Sequence, residues 1–266
     1  MRPLGVIGHL SSDVVAGAPP RIGGGPWHAA RAARTLGQHA LVAAKCGEEE
    51  RAPFLRQLAA LGLPVSVVAE GRTTAFSFSY DADGVRTMAV DAIGEPWRLD
   101  ELPASFARVE WVQVAPLLRG DFPIEVLERL ARGRRLLLDG QGLVRVRALG
   151  PLALDGAFEP ELLRFVTVLK LAEEEANAIL GGAPLEELLG LGVPEVVVTF
   201  GLAGSLVLAR SVAERIRAHP VRADPTGAGD AFSVAYLAGR ASGHSPVSAA
   251  RRATALVAAL LAGGRR

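Results

Sequence analysis

The run Asp224-Pro225-Thr226-Gly227-Ala228-Gly229-Asp230 sets two glycines between two carboxylates. Asp224 and Pro225 stop whatever strand precedes them. Gly227 and Gly229 allow a tight turn and bring backbone N–H groups close to a ligand. The residues that follow, Ala231 to Gly239, are apolar at helical spacing and predict a helix starting near Ala228. Unpaired N–H groups and the positive end of that helix would then lie at Gly227, Ala228 and Gly229. Such a cradle suits a phosphate or a developing anion. Asp230 falls in the first turn, beside it. A cradle for a moving phosphoryl group, next to a carboxylate that takes a hydroxyl proton, is the chemistry of phosphoryl transfer. The same residue types also serve as a plain helix start, so the rest of the chain decides between the two.

The elements needed to position this run are those of an alternating α/β chain. Leu4 to Ile7 reads as a buried strand ending at Gly8, and Asp13 follows it. In an open parallel sheet ligands bind beyond the carboxyl ends of the strands. Asp13 is therefore placed to accept hydrogen bonds from substrate hydroxyls, or serves as a turn residue. Gly23-Gly24-Gly25-Pro26 precedes a helix running to Gly37, with His28 either facing the ligand or packing. Strands follow at Ala40–Ala44 and Val65–Ala69, with a helix at Pro53–Leu61 between them. Period-two alternation at 73–80 and 85–90 around Asp83-Gly84 predicts a hairpin outside the main sheet. The α/β rhythm resumes with a strand at Trp111–Ala115, a helix at Pro123–Ala131 and a strand at Leu136–Leu138. That strand opens into Asp139-Gly140-Gln141-Gly142, with Arg145 just beyond. A strand at Phe165–Leu169 leads to Lys170, and a helix at Glu173–Leu180 begins with three acids. Strands at Glu195–Thr199 and Ser205–Ala209 flank Gly201 and Gly204. Arg215–Val221 leads into the opening run, and a helix at Pro246–Leu261 closes the chain.

Composition narrows the function classes. The 266 residues carry a net charge of +1, which gives no argument for a nucleic-acid or acidic-membrane partner. The one cysteine, Cys46, rules out an internal disulfide and fits a reducing compartment. No signal-peptide layout and no membrane-length apolar run is present, so a cytoplasmic location is expected. Lys45 and Lys170 are the only lysines, and neither lies in a Gly-Lys-Ser/Thr context, so a P-loop is excluded. No His/Cys cluster has zinc spacing. Without a linker or repeat, residues 1–266 read as one domain, with a β lid from about 13–23 and 72–95.

Taken together, Gly23-Gly24 ahead of the first helix, Thr199-x-Gly201-x-x-Gly204 and Asp224-x-Thr226-Gly227-Ala228-Gly229-Asp230 resemble the ribokinase-like (PfkB) family of carbohydrate kinases. The resemblance spans nearly the whole chain. It implies a three-layer α/β/α sandwich with a mostly parallel central sheet and a small, reduced β lid. It implies ATP and Mg²⁺ as cofactors, with Asp230 as catalytic base and Gly227, Ala228 and Gly229 as the anion hole. Substrate would be held by Asp13, Gly24, His28, Gln141 and Arg145. Lys170, Thr199, Gly201, Gly204 and Thr254 match positions around ATP. Glu175 matches the acid of the family's Asn-x-x-Glu motif, linked to magnesium, and Asp224 an acid that helps hold a monovalent cation such as K⁺.

Three departures stand out. Ala172 replaces the Asn of that motif, His28 stands where Asn is usual, and the 13–23 segment is short, which bears on any lid-mediated homodimer. Asp139-x-Gln141-Gly142-x-x-Arg145, with Gly8-His9, resembles a compact branch that includes myo-inositol kinases. The expected activity is phosphorylation of a hydroxyl on a small sugar or polyol. The alternatives are a nucleoside kinase of the same family and a non-catalytic ligand-binding protein on the kinase fold.

Overall fold

The structure, a computed structural model, describes residues 3–80, 86–210, 212–218 and 227–263. Its strands are β1 (Leu4–His9), β2 (Ser11–Val15), β3 (Arg21–Gly23), β4 (Ala40–Cys46), β5 (Val65–Ala69), β6 (Thr74–Tyr80), β7 (Arg86–Ala92), β8 (Trp111–Ala115), β9 (Arg135–Asp139), β10 (Gly150–Pro151), β11 (Val168–Ala172), β12 (Glu195–Thr199), β13 (Ser205–Ala209) and β14 (Val212–Ile216). The helices are α1 (Gly25–Thr35), α2 (Arg51–Ala59), α3 (Ile124–Ala131), α4 (Gln141–Val144), α5 (Glu173–Leu180), α6 (Ala228–Ala241) and α7 (Pro246–Gly263).

Nine strands form one sheet in the order β14-β13-β12-β11-β9-β8-β1-β4-β5. Only the β12–β13 and β13–β14 pairs are antiparallel. The strands of the parallel part are predominantly apolar because both faces are covered, with Lys45, Gln113, Asp139 and Lys170 among the buried polar exceptions. One face packs on α1, α2, α6 and α7 through Ala30, Phe54, Phe232, Tyr236 and Ala253. The other packs on α3, α4 and α5 through Leu127, Leu130, Leu143 and Ala176. The result is the three-layer α/β/α sandwich with a mostly parallel sheet that the sequence implied. From β1 the chain order runs outward in both directions, to β4 on one side and β8 on the other. The carboxyl ends of β1 and β8 therefore flank a topological switch point, where ligands of such sheets bind.

One strand departs from the sequence expectation. The strand expected at Phe165–Leu169 lies at Val168–Ala172, because Pro160–Phe165 coils into a 3₁₀ turn closed by a bond from Val166 N–H to Leu163 O. Lys170 is consequently inside β11 rather than beyond it. In the stretch Arg215–Val221 that leads into the opening run, β14 ends at Ile216, and residues 219–221 lie outside the described residues.

A second sheet, in the order β10-β7-β6-β2-β3, stands beside the first. Its β6–β7 pair is the hairpin outside the main sheet; the turn itself, Asp83-Gly84, lies outside the described residues. The sheet draws strands from both stretches read as a lid and adds Gly150–Pro151. Asp13, read as lying in a loop past the first strand, sits inside β2 and pairs with Phe76 on one side and Arg21 on the other. The joint to the body is tight. Leu10 alone separates β1 from β2, and Gly24 alone separates β3 from α1. Gly24 has φ 89, and a Cβ there would collide with the His9 carbonyl and lie 2.9 Å from Leu10 Cα. Only glycine fits that crossing.

At the far end of the sheet, α6 is fastened by a buried carboxylate. Glu195 at the start of β12 accepts Tyr236 O–H at 2.7 Å and both Arg240 Nε (3.1 Å) and Nη2 (2.6 Å). Arg240 also lies over Trp111 of β8.

Candidate active site

The site is assembled at the amino end of α6. Gly227 caps that helix with φ 78, a left-handed conformation that glycine adopts without strain. The N–H groups of Ala228, Gly229 and Asp230 have no intrahelical partner by position. Around them opens a cleft of about 530 Å³. Asp13 and Gly24 enter it from the joint between the sheets, and His28 from α1. Gln141 comes from the start of α4 and Arg145 from just beyond it, and Lys170, Ala172 and Glu175 from β11 and α5. Thr199 ends β12 and Gly201 follows it. One concavity thus brings together most of the residues singled out in the sequence. Gly204 and Thr254 instead line an adjoining pocket with Ala218, Phe232, Val257 and Leu261, and Thr199, Gly201, Ala228 and Gly229 are shared by the two. Asp224 and Thr226 lie outside the described residues.

His28 lines the cleft and also packs on its floor. A Cβ on Gly227 would meet its Nδ1 at 2.5 Å, so the ring lies against the glycine cradle. Gln141 spends its side-chain amide on the Pro116 carbonyl at 2.6 Å, which ties the loop after β9 to the end of β8.

The electrostatic centre is a set of buried charges. Lys170 Nζ donates to Asp139 Oδ2 at 3.2 Å, both side chains being almost fully buried. Gln141 N–H donates to Asp139 Oδ1 at 3.3 Å. A Cβ on Gly229 would lie 3.0 Å from Lys170 Nζ, so the ammonium is next to the anion cradle. Burial opposes its charge, but Asp139, Glu175 and Asp230 outweigh burial and hold it above the ordinary lysine range. Glu175 Oε2 accepts the Ala172 N–H at 2.8 Å, closing the first turn of α5 in place of a side-chain cap from residue 172. Burial, with Asp139 adding to it, raises the Glu175 carboxyl.

Asp230 receives Gln113 Nε2 at 3.3 Å, from the middle of β8. Burial, then the charge of Asp139, raises its carboxyl to about 7, with Lys170 and Arg145 pulling the other way. A base poised there ionises within the neutral range. The expected pH profile follows. If the ionised form is the active one, kcat/KM falls about tenfold per pH unit below about 7 and levels off above it. Initial rates from pH 5.5 to 9 check this; a flat profile across pH 7 would dissociate Asp230 from the proton transfer.

Among the described residues no group of three or more His, Cys, Asp or Glu side chains can cage a metal ion. The donor set fits a different kind of site. Mg²⁺ uses one or two carboxylates plus substrate phosphates, and Asp139 and Glu175 stand in the cleft beside the cradle.

Two residues that matter here were given no role of their own in the sequence. Asp139 entered only as part of a polar loop and of the Asp139-x-Gln141-Gly142-x-x-Arg145 pattern, and Gln113 lay unremarked within the strand Trp111–Ala115. No helix among the described residues is long and apolar enough to cross a membrane.

The comparisons agree with this geometry. The family model described as pfkB family carbohydrate kinase matches residues 20–263. A pyrophosphate-dependent kinase in the ribokinase family, complexed with a pyrophosphate analog and myo-inositol, is 25% identical and superposes with a TM-score of 0.82, covering 97% of this chain and 94% of that one. The Burkholderia thailandensis nucleoside kinase in complex with inosine is 21% identical with a TM-score of 0.72, covering 97% and 90%. Ribokinase from Thermotoga maritima is 17% identical with a TM-score of 0.71, covering 98% and 93%. The last two share the fold.

Proposed function

Because the chain belongs to the pfkB family of carbohydrate kinases, and is therefore a phosphotransferase, we propose that it moves the γ-phosphoryl group of ATP to a hydroxyl of a small sugar or polyol, with Asp230 as general base. The carrying observation is that Asp230 and the open end of α6 share one cleft with Asp13 and Arg145. Asp13 orients the acceptor through its hydroxyls. Asp230 takes the proton of the attacking hydroxyl as its oxygen forms a bond to the γ-phosphorus. The bond from that phosphorus to the bridging oxygen breaks, and its electron pair stays with ADP. The N–H groups of Ala228 and Gly229 receive the charge on the moving phosphoryl oxygens, with Lys170 and Arg145 beside them. Mg²⁺ bound with the donor, held by Glu175 and Asp139, would neutralise charge on the phosphates.

The adjoining pocket supports a nucleotide as donor. It meets the cleft at Ala228 and Gly229, and its walls, Ala218, Phe232, Val257 and Leu261, are apolar as a base requires. The relative named as pyrophosphate-dependent makes pyrophosphate the donor to test against it. Substituting Val257→Trp fills that pocket. It is expected to raise KM for ATP about tenfold or more, because a hydrophobic base site is lost, while leaving any use of pyrophosphate unchanged. Equal turnover with pyrophosphate in wild type and variant, and none with ATP, would reassign the donor.

Phe76, Phe78 and Met88 put an apolar wall over the acceptor side of the cleft. That wall is the observation favouring a nucleoside acceptor, whose base would stack there. ADP release, or phosphate release from pyrophosphate, measured against polyols, hexoses, sugar acids and nucleosides separates the acceptor classes. Turnover on none of them, with the donor still bound, would leave a binding protein on this fold.

A further inference from the structure

Gln113 lies in the middle of β8, fully buried, and is the one polar side chain of that strand. Its Nε2 reaches Asp230 Oδ1 at 3.3 Å, while its Oε1 is buried with no hydrogen-bond partner among the described residues. An unsatisfied buried amide oxygen is costly, and β8 packed in apolar surroundings would tolerate a leucine or methionine of the same length at no such cost. The amide therefore has a reason to be there other than packing. We infer that Gln113 is a positioning residue for the base: its N–H group fixes the Asp230 carboxylate in one rotamer, with one oxygen tethered and the other left for the acceptor hydroxyl.

The geometry gives the amide two states. With Asp230 ionised, only Nε2 can face it, since the reverse orientation would oppose two oxygens. With Asp230 protonated, the flipped amide can accept its O–H at Oε1. The proton on the base thus selects the amide's orientation, and the amide returns the favour by donating to the ionised form. From the other elements packed around Asp230 the groups that bear on the same proton are Asp139 of β9, Arg145 beyond α4, Lys170 of β11 and Glu175 of α5. The His28 ring from α1 faces the neighbouring Gly227. Asp139, Arg145, Lys170 and Glu175 act on the carboxylate through charge and not through a hydrogen bond among the described residues, so the tether from β8 is separate from the charge balance.

The inference rests on the reading of Asp230 as base, and its test has a readout that does not need turnover. Gln113→Met keeps length and apolar bulk but cannot donate. Expected are a kcat lower by about tenfold with KM within about twofold, and an acidic limb displaced upward by about half to one pH unit, as loss of a bond to the charged form requires. The Asp230 carboxyl, followed by ¹³C NMR in the free protein, should titrate higher by the same amount. Gln113→Glu tests the same point if the methionine variant does not fold. It replaces the donor by a second carboxyl, and Asp230 should titrate higher still. An unchanged kcat with an unchanged Asp230 titration in a folded variant overturns the inference. If the wild type phosphorylates no acceptor, the kinase reading falls, but the NMR titration still decides whether Gln113 tethers Asp230.

Discussion

Asp230→Asn is expected to lower kcat by about 10²–10⁴-fold, with the acceptor still bound. General-base assistance typically contributes that much, and the amide keeps the shape and the neighbours of the carboxylate while removing the proton acceptor. The same substitution should raise stability, and the sign can be worked out. The folded-state carboxyl is raised to about 7 by burial and by Asp139, whereas in the unfolded chain it ionises near 3.9. Between those values the folded protein binds the extra proton, so stability falls as pH rises through this window and stays lower above it. Asparagine has no charge to bury. Thermal unfolding at pH 8 should therefore show Asp230→Asn with a higher Tm than wild type, and the gap should close near pH 4. A variant that lost activity and also lost stability would point to misfolding instead of a missing base.

Lys170→Met is the second large effect. Lys170 stands among three carboxylates, bonded to Asp139 and adjoining Gly229. Without it the buried acids face one another with one cation fewer, and the anion cradle loses its neighbouring positive charge. Removing one group that stabilises transition-state charge costs about 10²–10³ in kcat. A second signature accompanies the loss. Lys170 holds the Asp230 carboxyl down, so the acidic limb of the pH profile should move upward in the variant. Lys170→Arg should restore part of the charge but not the fit, because a planar guanidinium does not occupy the space of an ammonium wedged against Gly229. Full activity in Lys170→Met would remove this lysine from the reaction and leave it as a structural partner of Asp139.

The helix start at Gly227 was legible because its signals are local. Glycine before a helix and an acid in its first turn describe one short stretch, and the turn that Gly227 makes needs nothing from elsewhere. The main sheet was legible for a related reason: strands buried on both faces are mostly apolar runs. What the sequence hid were relations between distant segments. Gln113 meets Asp230 only because β8 runs beneath α6, and no spacing rule links them. Lys170 was placed beyond its strand because Phe165 and Val166 look like strand residues, whereas Pro160 starts a 3₁₀ turn that delays the strand by three positions. Asp13 was placed past the first strand, at the edge of the lid segment, and not inside a strand, because the small sheet begins after a single connecting residue, which leaves no room for a visible turn signal. Ala172 was read as standing in place of the motif's Asn. Its backbone N–H is held by Glu175, a bond that sequence alone could not assign.

The one-residue joints at Leu10 and Gly24 have a mechanical meaning. Two adjacent connectors with no spare length make a door hung on a single line, since neither strand pair can slide without the other. One side of that line is β3, which runs through Gly24 directly into Gly25, and a Cβ on Gly25 would lie 3.2 Å from Asp230 Oδ1 and collide with Ala115. A swing of the small sheet would therefore press on the backbone that abuts Asp230. Under the proposed reading, an open cleft would then hold the base out of line and spare the donor from water.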